Sequence, residues 1–298
     1  MESKPLLSTD MPLLKLFRRG KVRDIFDLGE HLLMVSTDRL SAFDVVFEEG
    51  IPHKGIVLNQ LASFWFEETK HIISNHFVTT DVCAFYPELS QYQSMLEGRS
   101  MIVRKAKPMD FEFIVRGYMM GSAFEQYSRD GSIAGKEYPK GLIQGSKFQT
   151  PIFTPSTKSH RGHDVNISLH ELQDSIGEDK AKYIEEKSIE LFAFASSKAF
   201  QKGILIADTK FEFGFIDDEM ILIDELFTPD SSRFILKKDY EIGYVDRSMD
   251  KQFVRNFLIQ TGWNKEPPPP ALPLDIIQKT SERYLEAYHS LTGKALVL

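Results

Sequence analysis

Residues 206–225, IADTKFEFGFIDDEMILIDE, constrain the fold most, because they specify a β-hairpin. In KFEFGF, Phe211, Phe213 and Phe215 alternate with Glu212 and Gly214, the period-two pattern of a strand with one buried face. Asp217-Asp218-Glu219 is the polar turn, and the apolar run MILI leads back up to Asp224. A hairpin centred on Asp218 sets Glu212 opposite Asp224. Directly opposed side chains have Cβ atoms roughly 4.5–5.5 Å apart, and like charges so placed are destabilising. A cation between the carboxylates resolves the conflict. Mg²⁺ suits the place, as a hard ion held by one or two carboxylates plus substrate phosphates. The competing reading is an ordinary hairpin with both carboxylates in water.

A chain of 298 residues can bury a large core, divided into two or three lobes. Lys and Arg total 36 against 43 Asp and Glu, a net charge of −7. That balance argues against a nucleic-acid partner, which would want a basic surface, but leaves room for a local basic pocket. Cys83 is the one cysteine, so there is neither an intrachain disulfide nor a cysteine-based metal cluster. No apolar run approaches the ~18–20 residues needed to span a bilayer, and the N-terminus is too interrupted for a signal peptide. The expectation is a cytoplasmic protein without a membrane partner, a monomer or small homo-oligomer.

The first third reads as β-rich, with KVRDIFDL and LLMVSTD as strands around a turn at Gly29–His31. A helix follows at 56–70, with Leu58, Leu61, Ala62, Trp65, Phe66 and Thr69 at helical spacing. MIVRKA and FEFIVRGY are strands separated by Pro108. Residues 128–163, rich in Gly, Ser, Pro and Lys, read as loop with short extended pieces, a length more often functional than idle. An amphipathic helix at 179–202 buries Ile184, Leu191, Phe192, Ala195 and Ala199 and stops at Gly203. The four prolines 267–270 form a semi-rigid strap into a last helix at about 274–291. The expected division is a β-rich lobe at 1–107, an α/β lobe carrying the sites at 108–266, and the strap and C-terminal helix at 267–298.

Several cationic motifs face these acids. Arg18-Arg19-Gly20-Lys21-Val22-Arg23-Asp24 opens the first hairpin. Glycine permits close backbone approach to a phosphate, and Lys21 and Arg23 are expected on one strand face. Neither GxxxxGK[ST] nor GxGxxG is present; the physical analogue is the glycine-containing hairpin over ATP phosphates in protein kinases. Lys210 shares a strand face with Glu212. Arg116-Gly117-Tyr118 followed by Gly121-Ser122, and Pro229-Asp230-Ser231-Ser232-Arg233, supply two arginines and a serine suited to a phosphomonoester; solvated surface turns are the alternative. His163 next to Asp164 invites an acid–base reading, although a loop histidine is more often structural or exposed.

Eight stretches in order, GKVRDIFDL, STDRLSAFD, IPHKGIVLNQLASFWF, EFIVRGYMMGSA, PIFTPSTKS, GHDVNIS, IADTKFEFG and IDELFTPDSSRF, resemble the SAICAR synthetase family of purine biosynthesis from about Gly20 to Trp263. The resemblance implies an α+β, kinase-like nucleotide fold: an antiparallel-β N-terminal lobe, then a mixed α/β lobe with C-terminal helices. It implies an ATP-dependent ligase joining CAIR (the carboxylated aminoimidazole ribonucleotide) to L-aspartate, giving SAICAR, ADP and phosphate through an acyl phosphate. A small-molecule kinase of the same fold is the alternative. By the resemblance Gly20, Lys21, Val22 and Arg23 line the ATP phosphates, Glu212 and Asp224 hold Mg²⁺, and Lys210 assists beside Glu212. Arg116, Ser122 and Arg233 grip the CAIR phosphate, while Asp38, Ser41 and Asp208 face its imidazole or ribose. Lys158, His163 and Asp164 belong to the aspartate and CAIR end. Lys210, Lys21 and Asp208 are the expected catalytic residues. Three anionic reactants imply a basic pocket, and a water-sensitive acyl phosphate implies closure of the 128–163 loop over it.

Overall fold

Ile204–Ile216, thirteen residues long, is the strand around which the larger sheet is built. Its alternation works as the period-two pattern requires: Phe211 and Phe213 are fully buried beneath the sheet while Lys210 and Glu212 lie on the other face. The computed structural model describes residues 4–158, 165–243 and 248–297, so His163 and Asp164 lie outside the described residues.

One side of this strand pairs with Phe111–Tyr118, which pairs with Lys147–Thr157 and that in turn with Val165–Asn166. On the other side its first half meets Ser232–Leu236, and its second half meets Glu219–Ile223. Every pairing is antiparallel. A second antiparallel sheet runs Lys15–Arg19, Arg23–Asp27, His31–Ser36, Ser100–Arg104, Phe77–Thr79. Arg39–Ala42 and Val45–Gly50 form a separate hairpin whose tip, Phe43-Asp44, has positive φ at both residues. That is the geometry a two-residue hairpin turn matched to strand twist demands.

Helix Glu178–Gln201 lays Ala181, Ile184, Leu191, Phe192, Ala195 and Ala199 on the large sheet. Helix Lys54–Thr69 packs Leu58, Leu61 and Trp65 into the same core, where Leu274–Thr292 adds Tyr284, Ala287, Tyr288 and Leu291. The two sheets therefore share one continuous apolar core. Each buried phenylalanine, such as Phe113, Phe211 or Phe227, contributes about 1.5–3 kcal/mol by burial. The edge of the N-terminal sheet is also tied to the acidic hairpin by backbone bonds, Leu222 N to Ser74 O and His76 N to Leu222 O.

Two expectations are corrected. Residues 147–157 are not loop but an eleven-residue strand, despite Pro151 and Pro155. Pro151 falls in a register irregularity between Lys147 and Ile152, where no ladder bond is lost. The segment expected to close over the site is thus, over 147–157, a strand paired with Phe111–Tyr118. The acidic hairpin turns on Asp217-Asp218 alone, pairing Ile216 with Glu219, so Glu212 opposes Ile223 and not Asp224.

Candidate active site

A cleft of about 640 Å³ opens beside the polar face of Ile204–Ile216. Arg116 and Arg233 come from the two strands flanking Asp208 and converge on its carboxylate, at 3.5 and 2.5 Å. Arg116 also donates to Thr154 Oγ1 at 2.9 Å and to Ser122 Oγ at 3.0 Å. Ser122 is the first residue of helix Ser122–Asp130, whose amide-bearing end faces the same corner. Gly121 is obligatory: its φ is +57°, and a Cβ there would sit 2.9 Å from the Arg233 guanidinium. Burial and the neighbouring Arg233 push the Arg116 pKa down, against Asp208. Burial also opposes the charge of Arg233, but Asp208 and Asp250 prevail and raise its pKa. Two forks, a hydroxyl and a helix N-terminus converging here have the chemistry to receive an anion such as a phosphomonoester.

Further along the strand, Lys210 Nζ lies 2.8 Å from both Glu112 Oε1 and Glu212 Oε1. The second Glu212 oxygen accepts from Lys158 at 2.5 Å. Burial works against the Lys210 charge, yet Glu212, Glu112 and Asp224 outweigh it and raise its pKa well above the usual value. Lys210 is thus a fixed cation and not a general base.

Asp224 follows the last strand residue of the hairpin with φ +68°. Regular alternation would send its carboxylate to the Phe211 face, into the core; the left-handed turn breaks the alternation and spares that burial. Arg23 ion-pairs with Asp224 and, at 2.7 Å, with Glu225. Burial opposes the Asp224 charge, and Arg23, Lys210 and Lys158 more than compensate, lowering its pKa. Arg23 and Lys21 therefore do not share a face as expected. Arg23 is buried against the acidic hairpin, whereas Lys21 sits half-exposed in the turn and pairs with Asp44. Gly20 N bonds Arg23 O at 2.7 Å across that turn, and Val22 O accepts from Thr37 N and Oγ1.

Among the described residues no group of three or more Asp, Glu, His or Cys side chains forms a metal cage. Glu212 and Asp224, both neighbours of Lys210 and Lys158, are a hard-oxygen pair of the kind Mg²⁺ completes with substrate phosphates, so the donor set fits that ion.

Asp38 is placed elsewhere. It is buried, accepts from Leu6 N at 2.7 Å and Gly55 N at 2.8 Å, and pairs with Arg99 at 3.1 Å. Its oxygens are consumed by the fold, so the expectation that it faces the imidazole or ribose gives way to a structural role. Ser41 is buried in Arg39–Ala42 opposite Val46; its hairpin reaches the cleft through Phe43 and Asp44.

Several lining residues escaped sequence reasoning. Glu112 carried a signal, since FEF at 111–113 repeats FEF at 211–213, and the two strands pair Phe113 with Phe211. Lys251 and Arg255 line the opposite wall, one helical turn apart. Lys251 lies 3.3 Å from Asp230, which also takes the fully buried Lys54 at 2.8 Å and the Tyr284 hydroxyl at 2.7 Å. Burial, helped by Lys54 and Arg255, lowers the Lys251 pKa against Asp230. Nothing in a short amphipathic helix distinguishes these cations from solvated ones. Nor is the cleft net basic: six cations, among them Lys251, Arg255 and Lys265, face six acids, among them Glu125, Asp230 and Asp250. Positive charge is directed by paired carboxylates, not accumulated.

The family described as SAICAR synthetase matches residues 16–270. The phosphoribosylaminoimidazole-succinocarboxamide synthase of Thermodesulfovibrio yellowstonii is 50% identical over 288 residues, 97% of this chain and 99% of that one. Its counterpart in Geobacter sulfurreducens is 51% identical over 290 residues, 97% and 98% of the two chains. Among solved structures, the Saccharomyces cerevisiae SAICAR synthase complexed with SAICAR superposes with a TM-score of 0.87 at 40% identity, covering 99% of both chains. A type-2 SAICAR synthetase in complex with ADP, 24% identical with a TM-score of 0.70, shares the fold.

Proposed function

The chain belongs to the SAICAR synthetase family, and from that premise we propose how its residues divide the work of an ATP-dependent carbon–nitrogen ligase of purine biosynthesis. The substrates in this reading are CAIR, ATP and L-aspartate. The convergence of Arg116, Ser122 and Arg233 on one corner of the cleft carries it. Asp208 holds the two forks at a spacing that receives the phosphomonoester of the ribonucleotide. That anchorage turns the imidazole carboxylate toward Lys210, whose permanent charge stabilises negative charge developing beside it. The Gly20–Arg23 turn takes the ATP phosphates, with Lys21 exchanging Asp44 for a phosphoryl oxygen.

A carboxylate oxygen of CAIR attacks the γ-phosphorus and ADP departs, leaving an acyl phosphate. The aspartate amine then attacks the acyl carbon, and phosphate leaves carrying the attacking oxygen as the nitrogen sheds its proton. Lys158 and, on the far wall, Lys251 and Arg255 supply positive charge to the carboxylates of aspartate. Glu212 and Asp224 are the residues that would hold Mg²⁺, which when bound neutralises charge on a transferring phosphoryl group. Roles for His163 and Asp164 rest on the sequence resemblance alone. The kinase alternative is not favoured, since the full-length relatives are synthases.

Omitting ATP, CAIR and L-aspartate in turn tests the reading. ADP release that requires all three, with a succinocarboxamide product by mass spectrometry, supports it; undiminished release without aspartate, with a phosphorylated product, contradicts it.

A further inference from the structure

Arg39 is 9% exposed and lies behind the Gly20–Arg23 turn, away from the cleft. Its Nε donates to Lys21 O at 3.0 Å and its Nη2 to Gly20 O at 3.0 Å. The same fork reaches Leu7 O at 2.8 Å and Asp24 Oδ1 at 2.8 Å. Asp24 is fully buried; burial opposes its charge, but hydrogen bonds from Arg39 and Thr9 lower its pKa. Thr37 holds the next carbonyl, Val22 O, from the same side.

Three consecutive carbonyls are thus drawn inward. The peptide bonds here are trans, so the N–H following each carbonyl points the opposite way. Drawing Gly20 O and Lys21 O toward Arg39 turns the N–H groups of Lys21 and Val22 outward, and neither donates to another group among the described residues. Successive outward amides make a concave anion-binding feature, and the Lys21 ammonium sits on the same turn.

We propose that Arg39 is a positioning residue that presents the Lys21 and Val22 amides to a nucleotide polyphosphate. It never touches the anion. Its planar fork is what the role demands, because one group must span two carbonyls and a carboxylate at once, which a lysine ammonium on a single point cannot do. The proposal rests on the reading that this turn receives the nucleotide phosphates.

Calorimetric titration of the full chain with ATP and with adenosine tests it in wild type, Arg39→Lys and Lys21→Ala. Arg39→Lys keeps a cation beside Asp24 and so preserves the buried charge balance. It is expected to weaken ATP about tenfold while adenosine stays within about twofold, the mark of a lost phosphate contact. If the ATP-to-adenosine ratio falls in Lys21→Ala but not in Arg39→Lys, Arg39 merely packs and the proposal fails. An unchanged ratio in both variants removes the phosphate reading of the turn itself. Equal weakening of both ligands in Arg39→Lys indicates a general structural loss and also overturns the proposal. In wild-type protein, where folding is not in question, the Lys21 and Val22 amide resonances should shift with ATP and not with adenosine; amides that ignore ATP contradict the proposal.

Discussion

Arg23 and Asp224 are ion-paired across 201 positions of sequence, joining the second strand of the N-terminal sheet to the end of the acidic hairpin. Arg23 also holds Glu225, so one buried guanidinium fixes two consecutive carboxylates at the junction of the sheets. The carboxylate assigned to the metal is thereby set by a residue expected to hold phosphates.

Arg23→Met strands two carboxylates in a largely buried place. Breaking such a pair from one side costs about 3–5 kcal/mol. Equilibrium urea unfolding should show a loss of that order. A loss below about 1 kcal/mol would mean that water screens the pair.

Asp224→Asn leaves Arg23 paired with Glu225 and preserves the side-chain volume. Turnover should nevertheless fall about 100-fold or more, the scale seen when one electrostatic stabiliser is removed from an active site. Steady-state ADP release across a Mg²⁺ titration reads this. Near-wild-type rate at low Mg²⁺ would remove Asp224 from the metal site.

His76 is 4% exposed, and burial, followed by the charge of Arg23, pushes its pKa down to about 3. Its ring lies beside the Asp224 backbone, at the left-handed turn. The folded state keeps the ring neutral, whereas the unfolded chain protonates it below its ordinary pKa of about 6.5. Stability from this group is therefore complete above about pH 6.5 and is lost as the pH falls toward about 3, by up to about 1.4 kcal/mol per pH unit. His76→Gln should flatten the stability profile between about pH 6.5 and 4.5, above the usual carboxylate range. An unchanged slope there would assign the loss to other groups.

Arg116→Lys and Arg233→Lys each keep charge but lose a fork. The KM for CAIR should rise about tenfold or more in both, with the KM for ATP little changed. If the ATP value rises instead, the corner belongs to the nucleotide.

The sequence exposed those features that follow from local period. Lys210 beside Glu212 obeys the two-residue repeat, and the helix Glu178–Gln201 shows its buried stripe in Ile184, Leu191 and Ala195. What it hid depends on backbone exceptions and on distant partners. The position of Asp224 hangs on a two-residue turn and a left-handed residue, neither marked by glycine. Lys147–Thr157 was obscured by prolines that a register irregularity and a short edge partner accommodate. Asp38 lies in one of the stretches that carry the family resemblance, yet its oxygens serve Leu6, Gly55 and Arg99, residues remote in sequence. The cations of the far wall, Lys251 and Arg255, become visible only when the helix is placed against the cleft.

In the proposed reaction the CAIR carboxylate becomes an acyl phosphate before aspartate attacks. CAIR labelled with ¹⁸O in that carboxylate, turned over with ATP and L-aspartate, tests it directly. One labelled oxygen is expected in the released inorganic phosphate, detected by mass spectrometry. Phosphate free of label, with the SAICAR amide formed at the normal rate, would contradict it.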